Sequence, residues 1–98
     1  MNVTSWNCQG SASKGFSGLM KDMMKKNNST FVILLETHIS GVKTKSVIRK
    51  TGLKGSFVEE ASGFFGGIWC LWDDNDWRMK VLRTTNQYVH MKVRWCHH

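Results

Sequence analysis

Two polar residues stand where apolar strands should end, and both could do chemistry there. Asn7 closes a short alternating segment, Asn2 to Cys8, and Glu36 closes the apolar run Phe31-Val32-Ile33-Leu34-Leu35. If the two segments are adjacent parallel strands, Asn7 and Glu36 meet at their carboxyl ends, where open α/β sheets bind ligands. A carboxylate and an amide oxygen are hard donors suited to Mg²⁺, which takes one or two carboxylates and keeps several waters. The same positions also fit a reading without chemistry, with Glu36 opening a helical segment and Asn7 forming a turn. Spacing does not separate the two.

Other patterns carry less. Gly10 to Ser17 lies between a strand and a helix with two glycines at phosphate-loop spacing, but Phe16 stands where such a loop needs Lys to reach the phosphates. Gly63-Phe64-Phe65-Gly66-Gly67-Ile68 has a faint likeness to an RNA-binding strand with stacking aromatics, without the basic residue or the register that strand requires. Core aromatics beside a glycine turn account for it better. Cys96-His97-His98 could join Cys8 or Cys70 around a soft metal, yet no two ligands have the close spacing of a zinc site. His38 shares strand parity with Glu36 and could line the same site, but reads first as a surface histidine of the following loop.

The elements that must position these residues follow from periodicity. Asn2 to Cys8 sets Val3, Ser5 and Asn7 on one side and Thr4, Trp6 and Cys8 on the other, a strand pattern. Phe16, Leu19, Met20 and Met23 recur at helical spacing within Ser13 to Lys26, with Ser13 as the N-cap. Phe31 to Leu35 reads as a strand covered on both faces. A weakly amphipathic helix over Lys43 to Lys50 closes at Gly52, and strands follow at Gly55 to Ala61, Ile68 to Trp72, Trp77 to Arg83 and Gln87 to Trp95. In the last, Tyr88, His90, Lys92 and Arg94 alternate with Val89, Met91, Val93 and Trp95, so one side is polar and the other packs. The expected class is α/β: a mixed sheet with two helices near the N-terminus and antiparallel pairs toward the C-terminus. Helices on one face leave the other face apolar, and the chain is expected not to supply a layer for it, as if it were half of a layered domain.

Composition sets the outer bounds. Ninety-eight residues, 41% hydrophobic and 21% charged, suit one folded domain with a single core and exclude a disordered chain. Fourteen Lys and Arg against seven Asp and Glu give a net charge of +7, which favours polyanions. The basic residues are scattered over Lys21 to Lys26, Lys43 to Lys50 and Arg78 to Arg94, so charge alone predicts a diffuse basic surface. Cys8, Cys70 and Cys96 are odd in number and widely spaced, which argues against a disulfide framework and for reduced thiols in an intracellular protein. No apolar run approaches the ~18 residues a membrane helix needs, so no membrane partner is expected.

Three elements together carry a resemblance: Ser5-Trp6-Asn7-Cys8-Gln9-Gly10, then Leu35-Glu36-Thr37, then Gly66-Gly67-Ile68-Trp69-Cys70-Leu71-Trp72. Their order and spacing resemble the N-terminal part of the endonuclease/exonuclease/phosphatase superfamily, the DNase I-like hydrolases, and most closely its members in plant LINE-type retrotransposons. The resemblance implies a four-layered α/β/β/α sandwich, of which residues 1–98 would be a partial domain. It also implies a metal-dependent phosphodiester hydrolase, in which Glu36 would bind Mg²⁺ and Asn7 would help position the metal and the scissile phosphate. The implied partner is a nucleic acid, DNA ahead of RNA.

The family's catalytic tyrosine, its Gly-Asp-x-Asn element and its Ser-Asp-His element have no counterpart in this sequence. Tyr88 and His90 fall on an earlier strand than the family's tyrosine, so neither takes a catalytic role. Without a general base, whose usual contribution is ~10²-fold or more, no useful hydrolysis is expected from the chain alone. Three readings stand: an endonuclease-type domain completed by a missing C-terminal half or a complementary chain; a non-enzymatic retrotransposon remnant that binds nucleic acid weakly through its basic surface; and a chain not stably folded alone, whose exposed strand edges and apolar face favour self-association.

Overall fold

Period-two alternation sorts the apolar residues of each strand onto opposite faces, and the fold is built around that division. The computed structural model describes residues 1–8, 15–62, 65–85 and 87–97. Along the chain the elements are β1 (Asn2–Asn7), α1 (Phe16–Asn27), β2 (Ser29–Leu35), α2 (Val42–Thr51), β3 (Gly55–Glu59), β4 (Ile68–Trp72), β5 (Trp77–Thr84) and β6 (Val89–Trp95). The first four strands form one mixed sheet in the order β1-β2-β4-β3. β1 runs parallel to β2, and β4 runs antiparallel to both β2 and β3. β5 and β6 pair antiparallel with each other as a separate two-stranded sheet. The α/β class, the mixed sheet and the two helices are therefore as the sequence predicts.

α1 begins at Phe16, with Gly15 (φ 88°) at its N-cap and no side-chain cap; the expected cap, Ser13, lies outside the described residues. So does most of the segment with phosphate-loop spacing. Phe16 and Met20 are buried and Met23 and Met24 pack beside them, while Leu19 is 55% exposed. At about 100° per residue, Leu19 lies about 85° from the centre of the stripe those four residues define, which turns it away from the sheet. Asn28 ends the helix in a left-handed turn at φ 51°, a conformation Asn tolerates better than most residues. α2 closes at Gly52 as the sequence predicts, and its unfilled N-terminus receives the Glu60 carboxylate, which accepts the Gly41 N–H at 3.1 Å.

On the helix side, Val32, Leu34, Trp69 and Leu71 from the sheet meet Cys8, Phe16, Met20 and Ile39. On the other side, Phe31, Ile68 and Cys70 meet Trp77, with Met79, Met91 and Trp95 packed around them. Two expectations are corrected here. The described residues form two clusters of buried side chains, one on each face of the sheet, where a single core is expected, and the β5/β6 hairpin supplies the covering for the second face that the sequence is expected to lack.

The reason is the hairpin's own alternation together with the turn before it. Trp77 N–H donates to the Asp73 carbonyl at 3.1 Å and Asp73 N–H to the Thr30 carbonyl at 2.9 Å, which folds β5 back over β2. Phe31 then stacks on Trp72 and meets Trp77 edge-on, each at 5.5 Å between ring centroids. Burying such a ring contributes on the order of 1.5–3 kcal/mol. Beside them, Gly55 is required by the close approach of Trp72, since a Cβ there would overlap the indole ring. Among the described residues, no helix is long and apolar enough to cross a membrane.

Candidate functional site

The carboxyl ends of β1 and β2 lie side by side. Asn7 is the register partner of Leu35, and the Cys8 N–H extends the ladder by donating to the Leu35 carbonyl at 2.8 Å. Glu36 is the next residue along β2, so the structure brings Asn7 and Glu36 to the same end of the same strand pair. Both are exposed.

The segment after β2 is held in an uncommon backbone conformation. Glu36 and His38 both have φ 54°, in the left-handed region that residues other than glycine rarely adopt. Two main-chain bonds impose it: the Glu36 N–H donates to the Gly67 carbonyl at 2.9 Å, and the His38 N–H to the Gly66 carbonyl at 2.7 Å. Between them Thr37 is fully buried and Ile39 joins the helix-side core, so the alternating inward side chains pin the segment while Glu36 and His38 face solvent. The Thr37 hydroxyl has no hydrogen-bond partner among the described residues. Strain held in this way costs ~1–3 kcal/mol per residue and tends to gather at functional sites.

Gly66 is part of that design. A Cβ at Gly66 would come within 2.7 Å of the His38 Nε2 and 2.9 Å of the Glu36 Cα, so the segment leading into β4 can pass this close to Glu36 and His38 only as glycine. Neither this role for the Gly66-Gly67 pair nor the left-handed backbone is evident from strand and helix periodicity. The glycine doublet ahead of an apolar strand was the one available signal.

The donor types suit a hard cation: an exposed carboxylate and an exposed side-chain amide at the same end of one strand pair. Among the described residues, no three His, Cys, Asp or Glu side chains converge on one point; Glu59 lies at the same end of the sheet, opposite the Ile68 that also pairs with Leu35, but its carboxylate accepts the Thr84 hydroxyl at 3.1 Å. Burial pushes the thiols of Cys8 and Cys70 each up to about 11, which keeps them protonated at neutral pH and unsuited as soft ligands. His97, from the tail considered for metal binding, instead meets Asp76 at 2.9 Å; His98 lies outside the described residues. Tyr88 and His90 belong to the hairpin, outside this strand pair.

Comparison of the chain with protein-family models, with curated proteins and with solved structures returns no match.

Proposed function

We propose that the chain is the N-terminal part of a metal-dependent phosphodiester hydrolase domain of the DNase I-like type, and that it holds half of the active site. The observation that carries this reading is the parallel β1/β2 pair, with Asn7 opposite Leu35 and Glu36 displayed one residue beyond it on a backbone fixed by Gly66 and Gly67. Helices cover one face of the sheet and a β-hairpin the other, so both faces are layered.

In this reading Glu36 binds Mg²⁺ and Asn7 orients the metal and a phosphate oxygen. Bound there, Mg²⁺ supplies charge neutralisation to the phosphoryl group. The chain's own residues then do two things: the Glu36 carboxylate fixes where the charge is neutralised, and the Asn7 amide fixes the angle of approach. The family's elements that would take a proton from water have no counterpart in this sequence, so the half-site is expected to bind without turning over.

Calorimetry with Mg²⁺ tests the reading. The chain should bind Mg²⁺ weakly, Glu36→Ala should abolish the binding with its fold intact by circular dichroism, and Asn7→Ala should weaken it. Binding that is absent, or that survives Glu36→Ala, would remove the metal-site assignment. Nicking of plasmid DNA by the chain, lost in Glu36→Ala, would instead overturn the claim that the half-site is inactive alone.

A further inference from the structure

The outer face of the β5/β6 hairpin gathers charge of one sign in opposed pairs. Trp77 packs toward the sheet with Met79 beside it, so Arg78 and Lys80 face away, and across the ladder Arg78 stands opposite Arg94 and Lys80 opposite Lys92. Past the bulge between Val81 and Arg83, Arg83 stands opposite His90 on the same face. Directly opposed side chains in an antiparallel pair have their Cβ atoms about 4.5–5.5 Å apart, and like charges there destabilise the pair. Among the described residues, none of these five Lys and Arg side chains forms an ion pair with a carboxylate. The Arg78 guanidinium donates instead to the main-chain carbonyls of Asp74 and Trp77. Arg78, Lys80, Lys92 and Arg94, together with Met79, line a shallow cleft of about 250 Å³. The basic residues of this stretch are thus concentrated on one face rather than diffuse.

The geometry points to this face as a binding surface for the phosphodiester backbone of a duplex nucleic acid. A row of like-charge pairs that lowers the stability of its own hairpin is offset when a polyanion lies across it, with release of the polyanion's counterions. Shape argues for a duplex, because a two-stranded ribbon is one of the few elements that the major groove admits, and β5/β6 is a ribbon with no third strand among the described residues. Chemistry argues against a single strand. Non-specific single-strand binding relies on aromatic rings as stacking platforms, and no Phe, Tyr or Trp projects from the ladder on this side; Tyr88 lies beyond its turn end. The inference rests on the nucleic-acid partner of the proposed function but needs neither Glu36 nor a metal.

The test is fluorescence anisotropy with a short labelled duplex DNA, in EDTA, over a range of salt concentrations. Four contacted phosphates give a slope of log K against log salt of about −3.6. Lys80→Gln with Lys92→Gln should reduce that slope by about 1.8 and weaken binding at low salt by tenfold or more, while Lys25→Gln with Lys26→Gln, an equal loss of charge on α1, should leave the slope near that of the unaltered chain. The hairpin variant should melt no lower than the unaltered chain, because it removes a repulsive pair, so lost binding cannot be lost folding. Equal weakening by the two double variants, tighter binding of single-stranded DNA, or the same charge-dependent capture by vesicles of anionic phospholipid would each overturn the assignment. Because the assay contains no metal, its failure leaves the Glu36 calorimetry to be judged separately.

Discussion

Asn7 faces Leu35 across the parallel β1/β2 ladder, and Glu36, one residue on, turns out of the sheet with φ 54°. The left-handed backbone places the Glu36 side chain in solvent instead of continuing the alternation of Val32 and Leu34 into the helix-side core. Glycine would adopt that conformation without strain, at the cost of greater freedom in the unfolded chain. Glu36→Gly is therefore expected to be more stable by about 1 kcal/mol, which for a chain of this size raises Tm by about 4–8 °C. The same variant should lose Mg²⁺ binding. Thermal melts beside calorimetry check both halves, and a variant less stable than the parent would show that the surrounding structure relieves the strain at Glu36.

Phe31 holds the two sheets together, since its ring stacks on Trp72 of β4 and meets Trp77 of β5 edge-on. It is fully buried, so Phe31→Ala removes the ring contacts and opens a cavity that its neighbours can only partly close. The expected loss is about 3–5 kcal/mol, a large share of the roughly 5–15 kcal/mol that stabilises a domain. Urea titration followed by tryptophan fluorescence reads it directly, because Trp72, Trp77 and Trp95 all surround the site. A loss below about 1 kcal/mol would mean that the hairpin is not fastened through this ring.

What the sequence made legible was what alternation and helical spacing encode. Val32 and Leu34 against Phe31 and Ile33, or Trp69 and Leu71 against Ile68 and Cys70, announce a strand apolar on both faces, and the parallel pairing of β1 with β2 then brings Asn7 and Glu36 together. Two things were hidden. Periodicity says that β5 and β6 have an apolar side but not which surface that side meets, so the covering of the second face became visible only when the Asp73 turn closed over Thr30. Charge counted along the chain says nothing about cross-strand register, so Lys80 and Lys92, twelve positions apart in sequence, gave no sign of standing opposite each other.

The turn that carries the hairpin back is fixed by a carboxylate, and its stability should depend on pH accordingly. Asp76 accepts the Thr30 hydroxyl at 2.8 Å and meets His97 Nε2 at 2.9 Å, and Thr30 in turn accepts the Trp77 indole N–H at 3.0 Å. The Thr30 hydrogen bond first, and the His97 hydrogen bond after it, hold the Asp76 carboxyl below its ordinary value of 3.8. A carboxyl lowered on folding contributes stability that is fully present above its unfolded value, near 4, and is lost as the pH falls through its folded value. Between about pH 5 and 7 this contribution should be constant, and below about pH 4 it should drain away. Asp76→Asn should therefore melt below the parent at pH 7, with the gap closing as both are taken into acid. Melting curves at stepped pH check this, and a gap that stays constant down to about pH 2 would mean that the charged form of Asp76 is not what fastens the turn.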